Sequence, residues 1–155
     1  MITSGQLELR PLPLDAARVL PDDRKTAGRL IGALVPETWP SPDLVGILDR
    51  HELPYGIWVM VDPDTATVVG DIGFHGPPDE TGTVEIGYSV VPERRRRGYA
   101  TEAARALAAW ALEQPGVKTV TATCEPGNAG SIKTLERAGF ARVEETDRVV
   151  RWRYG

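Results

Sequence analysis

The sequence predicts an α+β domain: a mixed, mostly antiparallel central sheet of about seven strands flanked by helices. Three observations carry that reading. Residues 56–91 hold three apolar runs separated by turns too short for a crossover, which makes them an antiparallel meander. Residues 83–124 read strand, helix, strand, and such a crossover makes its two strands parallel. The N-terminal third repeats apolar residues at helical intervals between prolines. At 155 residues, one domain over 1–155 is the expectation, and no repeat or low-complexity linker divides it.

Taken in order, Leu7-Glu8-Leu9-Arg10 alternates apolar and polar residues as a short strand, ended by Pro11 and Pro13. Helical spacing follows from Asp15 to about Leu20 and from Asp23 to about Leu34, with an aspartate near each start. Prolines 36, 40 and 42 interrupt the chain, and Ser41 can cap a third helix with Pro42 in its first turn. Gly56 to Val61 is a nearly continuous apolar strand, and Asp62–Thr65 is a turn by composition. Ala66 to Phe74 and Thr83 to Val91 complete the meander around the turn 76–82. A helix from about Thr101 to Gln114 places Ala103, Leu107, Trp110 and Ala111 on one face and stops at Pro115-Gly116. Val117 to Cys124 is the return strand, with Val120, Ala122 and Cys124 on one face and Thr119, Thr121 and Thr123 on the other. After the turn Glu125–Asn128, a short helix from Ala129 to Ala138 closes at Gly139. Phe140–Val143 and Val149–Tyr154 form a last strand pair, giving the order β-α-α-α-β-β-β-α-β-α-β-β.

A net charge of −4 argues against a nucleic-acid-binding face and makes any local cluster of cations informative. The single cysteine, Cys124, rules out an intramolecular disulfide framework and fits a reducing compartment. His51 and His75 show no metal-ligand spacing with it, so no metal is expected, and both read as loop histidines without a partner. The N-terminus lacks a signal-peptide pattern, and no apolar run nears the roughly 20 residues of a membrane span. The expectation is a cytoplasmic protein with no membrane partner.

The stretch that carries chemistry is VEIGYSVVPERRRRGYATEAA, residues 84–104. A strand leads into Arg94–Arg97 and Gly98, then directly into a helix. Backbone N–H groups at such a helix start receive an anion, and adjacent arginines add charge to them. The plainer reading of a charge run is a solvated turn. The stretch contains neither GxxxxGK[ST] nor GxGxxG, so it is not a nucleotide P-loop or a dinucleotide fingerprint.

Arg95-Arg96-Arg97-Gly98-Tyr99-Ala100 matches the (Gln/Arg)-x-x-Gly-x-(Gly/Ala) turn of the GCN5-related N-acetyltransferases. A second match runs from Glu125-Pro126-Gly127-Asn128 through Ser131 to Leu135-Glu136-Arg137-Ala138-Gly139-Phe140, and resembles the family's Asn-x-x-Ser and Gly-Phe segment. With the opening LELRPLPLDAA, the chain most resembles the branch containing the ribosomal-protein N-terminal acetyltransferases. The resemblance implies the acyl-CoA N-acyltransferase fold and direct acetyl transfer from acetyl-CoA to a primary amine. It leaves open a protein N-terminus or a small molecule as acceptor, with residues 20–55 and 144–148 lining that side. It implies that main-chain groups of Tyr88, Ser89 and Val90 hold the pantetheine arm, with the Val90 amide polarising the thioester carbonyl. Amides from Arg96 to Thr101 would hold the pyrophosphate, helped by one or two of the arginines.

Asn128 would contact the cofactor arm; its alternative is a turn-forming asparagine. Glu85, five residues before Val90, is the candidate base; its alternative is a solvent-facing strand residue. The family's other base position is Thr123 here, and its usual acid, a tyrosine seven residues after the asparagine, is Leu135. Ser131 matches the branch's serine and would hydrogen-bond the sulfur; its alternative is a helix cap. Cys124 has no nearby histidine in sequence, and direct transfer needs no acyl-enzyme. Those departures keep a second reading in play, an acyl-CoA-binding regulatory domain without turnover. The family also leaves a homodimer open.

Overall fold

The structure, a computed structural model, describes residues 1–155. Its eight strands are β1 (Ile2–Ser4), β2 (Leu7–Pro11), β3 (Ile57–Asp62), β4 (Thr67–Phe74), β5 (Thr83–Val90), β6 (Thr119–Cys124), β7 (Ala141–Glu145) and β8 (Val150–Tyr154). They form one sheet in the order β1-β2-β3-β4-β5-β6-β8-β7, in which only β5 and β6 run parallel. The expected mixed, mostly antiparallel sheet is present, with one strand more than the seven read from sequence. The extra strand, β1, pairs with β2 through a tight turn at Gly5, whose φ is 54°. Three residues are too few to show a period, so only pairing with β2 reveals it.

The helices are α1 (Leu14–Val19), α2 (Arg24–Ile31), α3 (Pro42–Val45), α4 (Tyr99–Leu112) and α5 (Ala129–Ala138). Helix α2 starts where the Asp23 carboxylate accepts the Thr26 N–H, and ends at Gly32 in left-handed conformation, short of the expected Leu34. Leu34 instead bridges to Thr67 at the start of β4. Ser41 does cap α3, accepting from the Leu44 N–H, but the helix lasts only one turn before a 3-10 turn at Leu48–Arg50.

Helices cover both faces of the sheet, and β3 shows why its sequence reads as unbroken apolar. Trp58 and Met60 join the core under α4 and α5, whereas Ile57, Val59 and Val61 join the core under α1 to α3. The apolar stripe of α4 includes Ala103, Leu107 and Ala111, all fully buried, and burying a side chain like Leu107 is worth about 1.5–3 kcal/mol. Trp110 packs its ring 5.1 Å from that of Trp58 and 5.9 Å from that of Phe74.

His51, read from sequence as a loop histidine without a partner, is buried and doubly bonded. Its Nε2 lies 2.6 Å from the Leu12 carbonyl, and its Nδ1 accepts the Ile57 N–H at 2.9 Å. The ring thereby ties the chain before β3 to the chain before α1. Tyr55, placed by sequence in the acceptor region, packs against Phe74 and Trp110 at the edge of the α4 core.

One feature of the sheet shapes the site. Strands β5 and β6 stay in register from Thr83↔Thr119 to Ile86↔Ala122, and then separate. Beyond that point Gly87 to Val90 pair only with β4, through Gly73↔Gly87, Ile72↔Tyr88, Asp71↔Ser89 and Gly70↔Val90. Thr123 and Cys124 meanwhile follow β8, opposite Arg151 and Val150. The result is a wedge between two parallel strands at their C-terminal ends. Glycine at 70 is required beside it, because a Cβ there would run into the Ser89 carbonyl.

Candidate functional site

The wedge opens into a cleft of about 950 Å³ bounded by the end of β5, the turn after it, and the first turns of α4 and α5. Arg94, Arg95, Arg96, Lys133 and Arg137 line it, and no aspartate or glutamate does. In a chain of net charge −4 that concentration of cations makes the cleft a local region of positive potential. The open edge of β5 adds unpaired strand backbone along one wall, suited to a ligand carrying amide groups.

The turn owes its shape to two residues with left-handed backbone, Arg96 at φ 64° and Gly98 at φ 84°. Within the protein a Cβ at Gly98 would meet only Gln6 Nε2, at 3.6 Å, so glycine is needed there for its φ and not for space. Gly98 is also the N-cap of α4, and no side chain caps that end. The first-turn amides of the helix therefore face the cleft with the positive end of the helix dipole behind them. Gln6 braces the turn from outside: its side-chain amide donates to the Arg97 carbonyl at 2.6 Å, and its own N–H donates to Glu102.

The arginines are not equivalent. Arg94 is held at 2.9 Å from the Asp62 carboxylate and also reaches Tyr99 Oη and Thr65, so it is a structural cation at the cleft margin. Burial pushes the Asp62 carboxyl up, but the Arg94 bond with the Asp64 amide and Thr65 hydroxyl outweighs it and holds the group below its ordinary value. The same pair holds the Arg94 guanidinium above its ordinary value. Arg95 donates from Nε to the Val90 carbonyl at 3.0 Å, fastening the turn to the strand end. Arg97 offers its carbonyl to Gln6 and does not line the cleft. Arg96, Lys133 and Arg137 line it without an ion-pair partner from the protein.

Tyr88, Ser89, Val90, Arg95, Arg96, Gly98, Tyr99, Ala100, Thr101, Asn128 and Ser131 of the sequence-derived set come together around the cleft, whereas Arg97 and Glu85 lie outside its lining. Tyr99 contributes through its start of the helix, since its ring is buried and its hydroxyl points at Asp62. Asn128 is the N-cap of α5 and accepts the Ser131 N–H at 3.0 Å, so the cap is Asn128 and not Ser131. The Ser131 hydroxyl instead sits 2.7 Å from Tyr88 Oη. Leu135 is fully buried in the core and Cys124 accepts the Trp152 indole N–H at 3.4 Å.

Glu85 stands on β5 opposite Thr121, its carboxylate 2.9 Å from His75 Nδ1. His75, without a partner by sequence, is thus the neighbour of the candidate base. Sequence reasoning did not mark Lys133, Thr134 and Arg137. Their signal was the four-residue spacing of two cations on a helix that begins at a candidate ligand-contacting asparagine. It also passed over Asp71, which faces the α1–α3 side opposite Ser89 and accepts the Trp39 indole N–H at 2.9 Å. Burial pushes this carboxyl up from 3.8 to about 6, against the opposing pull of that hydrogen bond.

Residues 6–141 match the family profile described as Acetyltransferase (GNAT) domain. The chain belongs to the GNAT acetyltransferase family. It is 43% identical over 125 residues to the N-acetyltransferase YjdG of Bacillus subtilis (strain 168), covering 75% of this chain and 74% of that one. It is 32% identical over 79 residues to the N-acetyltransferase YnaD of the same organism, spanning about half of each chain, 51% and 46%. Among solved structures, an acetyltransferase from Agrobacterium tumefaciens str. C58 superimposes with a TM-score of 0.66 at 26% identity, over 99% of this chain and 93% of that one. A ribosomal-protein-S5-alanine acetyltransferase from Vibrio fischeri gives 0.68 at 15% identity over 98% and 94%, a likeness of fold. This GNAT chain is therefore an acyltransferase with the acyl-CoA N-acyltransferase fold.

Proposed function

We propose that residues 1–155 act as one catalytic unit that transfers an acetyl group directly from acetyl-CoA to a primary amine, on a protein N-terminus or a small molecule. The observation that carries this is the cleft itself, a strand edge left open by the β5–β6 divergence and continued by an uncapped helix start among five cations, of which Arg96, Lys133 and Arg137 have no ion-pair partner. Those residues fit a donor made of an amide-bearing arm and a polyphosphate. Main-chain groups of Tyr88, Ser89 and Val90 would bind the arm. Amides from Arg96 to Thr101 would bind the pyrophosphate, and Arg96, Lys133 and Arg137 the remaining phosphate charge. Bound there, acetyl-CoA supplies a thioester whose carbonyl is open to an amine.

The chain must then orient the carbonyl, receive a proton from the amine and protect the departing sulfur. An amide donor at Val90, in the family's polarising position, is worth about 3 kcal/mol in acyl transfer. Glu85 is the base of this reading, five residues upstream on the same strand, with His75 as the partner that fixes its carboxylate. An α-amine titrates near 8 against about 10.4 for lysine, so an N-terminal acceptor asks less of that base. Ser131, in the first turn of α5 and lining the cleft, would hydrogen-bond the sulfur.

The burial of Leu135 favours a second reading, an acyl-CoA-binding regulatory domain, because no acid stands at the family's usual position. Calorimetry with acetyl-CoA, followed by an acceptor panel read by free-thiol release, separates the two. Binding with turnover of any amine is expected. Binding without turnover on peptides, polyamines, aminoglycosides and amino acids would establish the regulatory reading, and no binding would overturn both.

A further inference from the structure

The acetyltransferase reading leaves the departing thiolate without an acid at Leu135, yet Ser131, one turn earlier on the same helix, forms a hydroxyl pair with Tyr88 of β5 in the cleft wall. Tyr88 extends from β5 toward α5, packs half-buried against the α4–α5 core, and brings its Oη to 2.7 Å from Ser131 Oγ. Both residues line the cleft. The Ser131 N–H is already given to Asn128, which fixes the serine backbone in the first turn of α5.

Resting on that reading, we propose that Tyr88 positions Ser131 and resupplies its proton, so that the two hydroxyls form a short relay which protonates the CoA sulfur as it leaves. A serine hydroxyl has one hydrogen and two lone pairs. With the Tyr88 hydroxyl donating to Ser131 Oγ, the serine hydrogen is left to point into the cleft. Burial raises the Tyr88 phenol above its ordinary value, against the pull of the Ser131 bond, and keeps it protonated across the neutral range.

The amine nitrogen bonds the acetyl carbon, the C–S bond breaks, and its electron pair goes to sulfur. Sulfur takes the Ser131 proton, Ser131 takes the Tyr88 proton, and the proton that Glu85 receives from the amine nitrogen returns through solvent to the phenolate. The net products are the N-acetyl amine and CoA thiol. Ser131 is the catalytic residue because it touches sulfur, and Tyr88 acts through it.

The test is a cycle between these hydroxyls and the sulfur atom that needs no acceptor. Dissociation constants for CoA and for desulfo-CoA are measured by calorimetry on wild type, Tyr88→Phe and Ser131→Ala, and the bound CoA thiol is titrated by its thiolate absorbance. Removing the sulfur should weaken wild-type binding about threefold to tenfold, the scale of one hydrogen bond, and should have little effect in either variant. The bound thiol should ionise at lower pH in wild type than in Tyr88→Phe, a shift that a purely structural tyrosine would not produce. Once the acceptor panel supplies a substrate, Tyr88→Phe should lower kcat about 10²-fold at unchanged KM for acetyl-CoA, and the double variant should be no slower than either single. Should Tyr88→Phe fail to fold, Ser131→Ala reports on the same path from a partly exposed position. Equal sulfur sensitivity in all three proteins, with CoA bound, overturns the relay alone. Failure of the wild type to bind CoA overturns the acetyl-CoA reading and the relay with it.

Discussion

Asp71→Asn should stabilise this protein at neutral pH, and the gain should vanish in acid. Asp71 is 8% exposed, and its one side-chain hydrogen bond comes from the Trp39 indole. Burial lifts its carboxyl from 3.8 to about 6. A carboxyl raised on folding binds its proton more tightly in the native state. Its contribution is therefore fully present below about 3.8, falls as pH climbs, and is lost above about 6. The whole displacement corresponds to about 3 kcal/mol against the ionised native form. Asparagine keeps an acceptor for Trp39 in nearly the same volume and removes the charge. Guanidinium unfolding of both proteins across a pH series from about 4 to 8 cancels every other titrating group in the difference between them. The variant should gain up to about 3 kcal/mol by the alkaline end, on the order of 6–12 °C in Tm, and little at the acid end. Parallel stability curves would refute the reasoning, because they would mean that Asp71 ionises alike in the folded and unfolded chain.

Gly98→Val should weaken acetyl-CoA binding at least about tenfold, since a β-branched residue at φ 84° must rebuild the turn; unchanged affinity by calorimetry would remove the turn from the site. Among the arginines, Arg96→Ala should cost affinity and little stability. Arg94→Ala should cost on the order of 2–4 kcal/mol of stability by stranding Asp62, and equal, small effects on both counts would show a diffuse field instead. Glu85→Gln should lower kcat about 10²-fold while acetyl-CoA affinity stays put, and a near-normal kcat on the true acceptor would leave proton removal to solvent.

Elements with a long period or a decisive cap were legible in the sequence. Helix α4 shows its apolar stripe at Ala103, Leu107 and Ala111, α5 closes at Gly139, and β3 to β5 read as apolar runs between turns. The turn from Arg94 to Gly98 was legible for a related reason, because cations, a glycine and a helix start fall together within a few consecutive residues. Strand β1 was not, being three residues whose only support is its pairing with β2.

What tertiary structure alone decided is where each polar group finds its partner. The four arginines look alike in sequence, yet Arg94 is taken by Asp62, Arg95 by the Val90 carbonyl, and Arg97 turns its backbone to Gln6. The partners lie 32 residues away for Arg94 and 91 for Arg97, beyond any local pattern. Tyr88 and Ser131, 43 residues apart, meet because β5 and β6 diverge and α5 starts at the mouth of that wedge. Asp71 reads as an ordinary polar position in a strand, and only its burial in the folded chain removes water and lifts its carboxyl, against the pull of the Trp39 hydrogen bond. Sequence pattern fixes local conformation through steric preference and burial period, whereas a hydrogen bond or a desolvated charge depends on what the folded chain brings within about 3 Å.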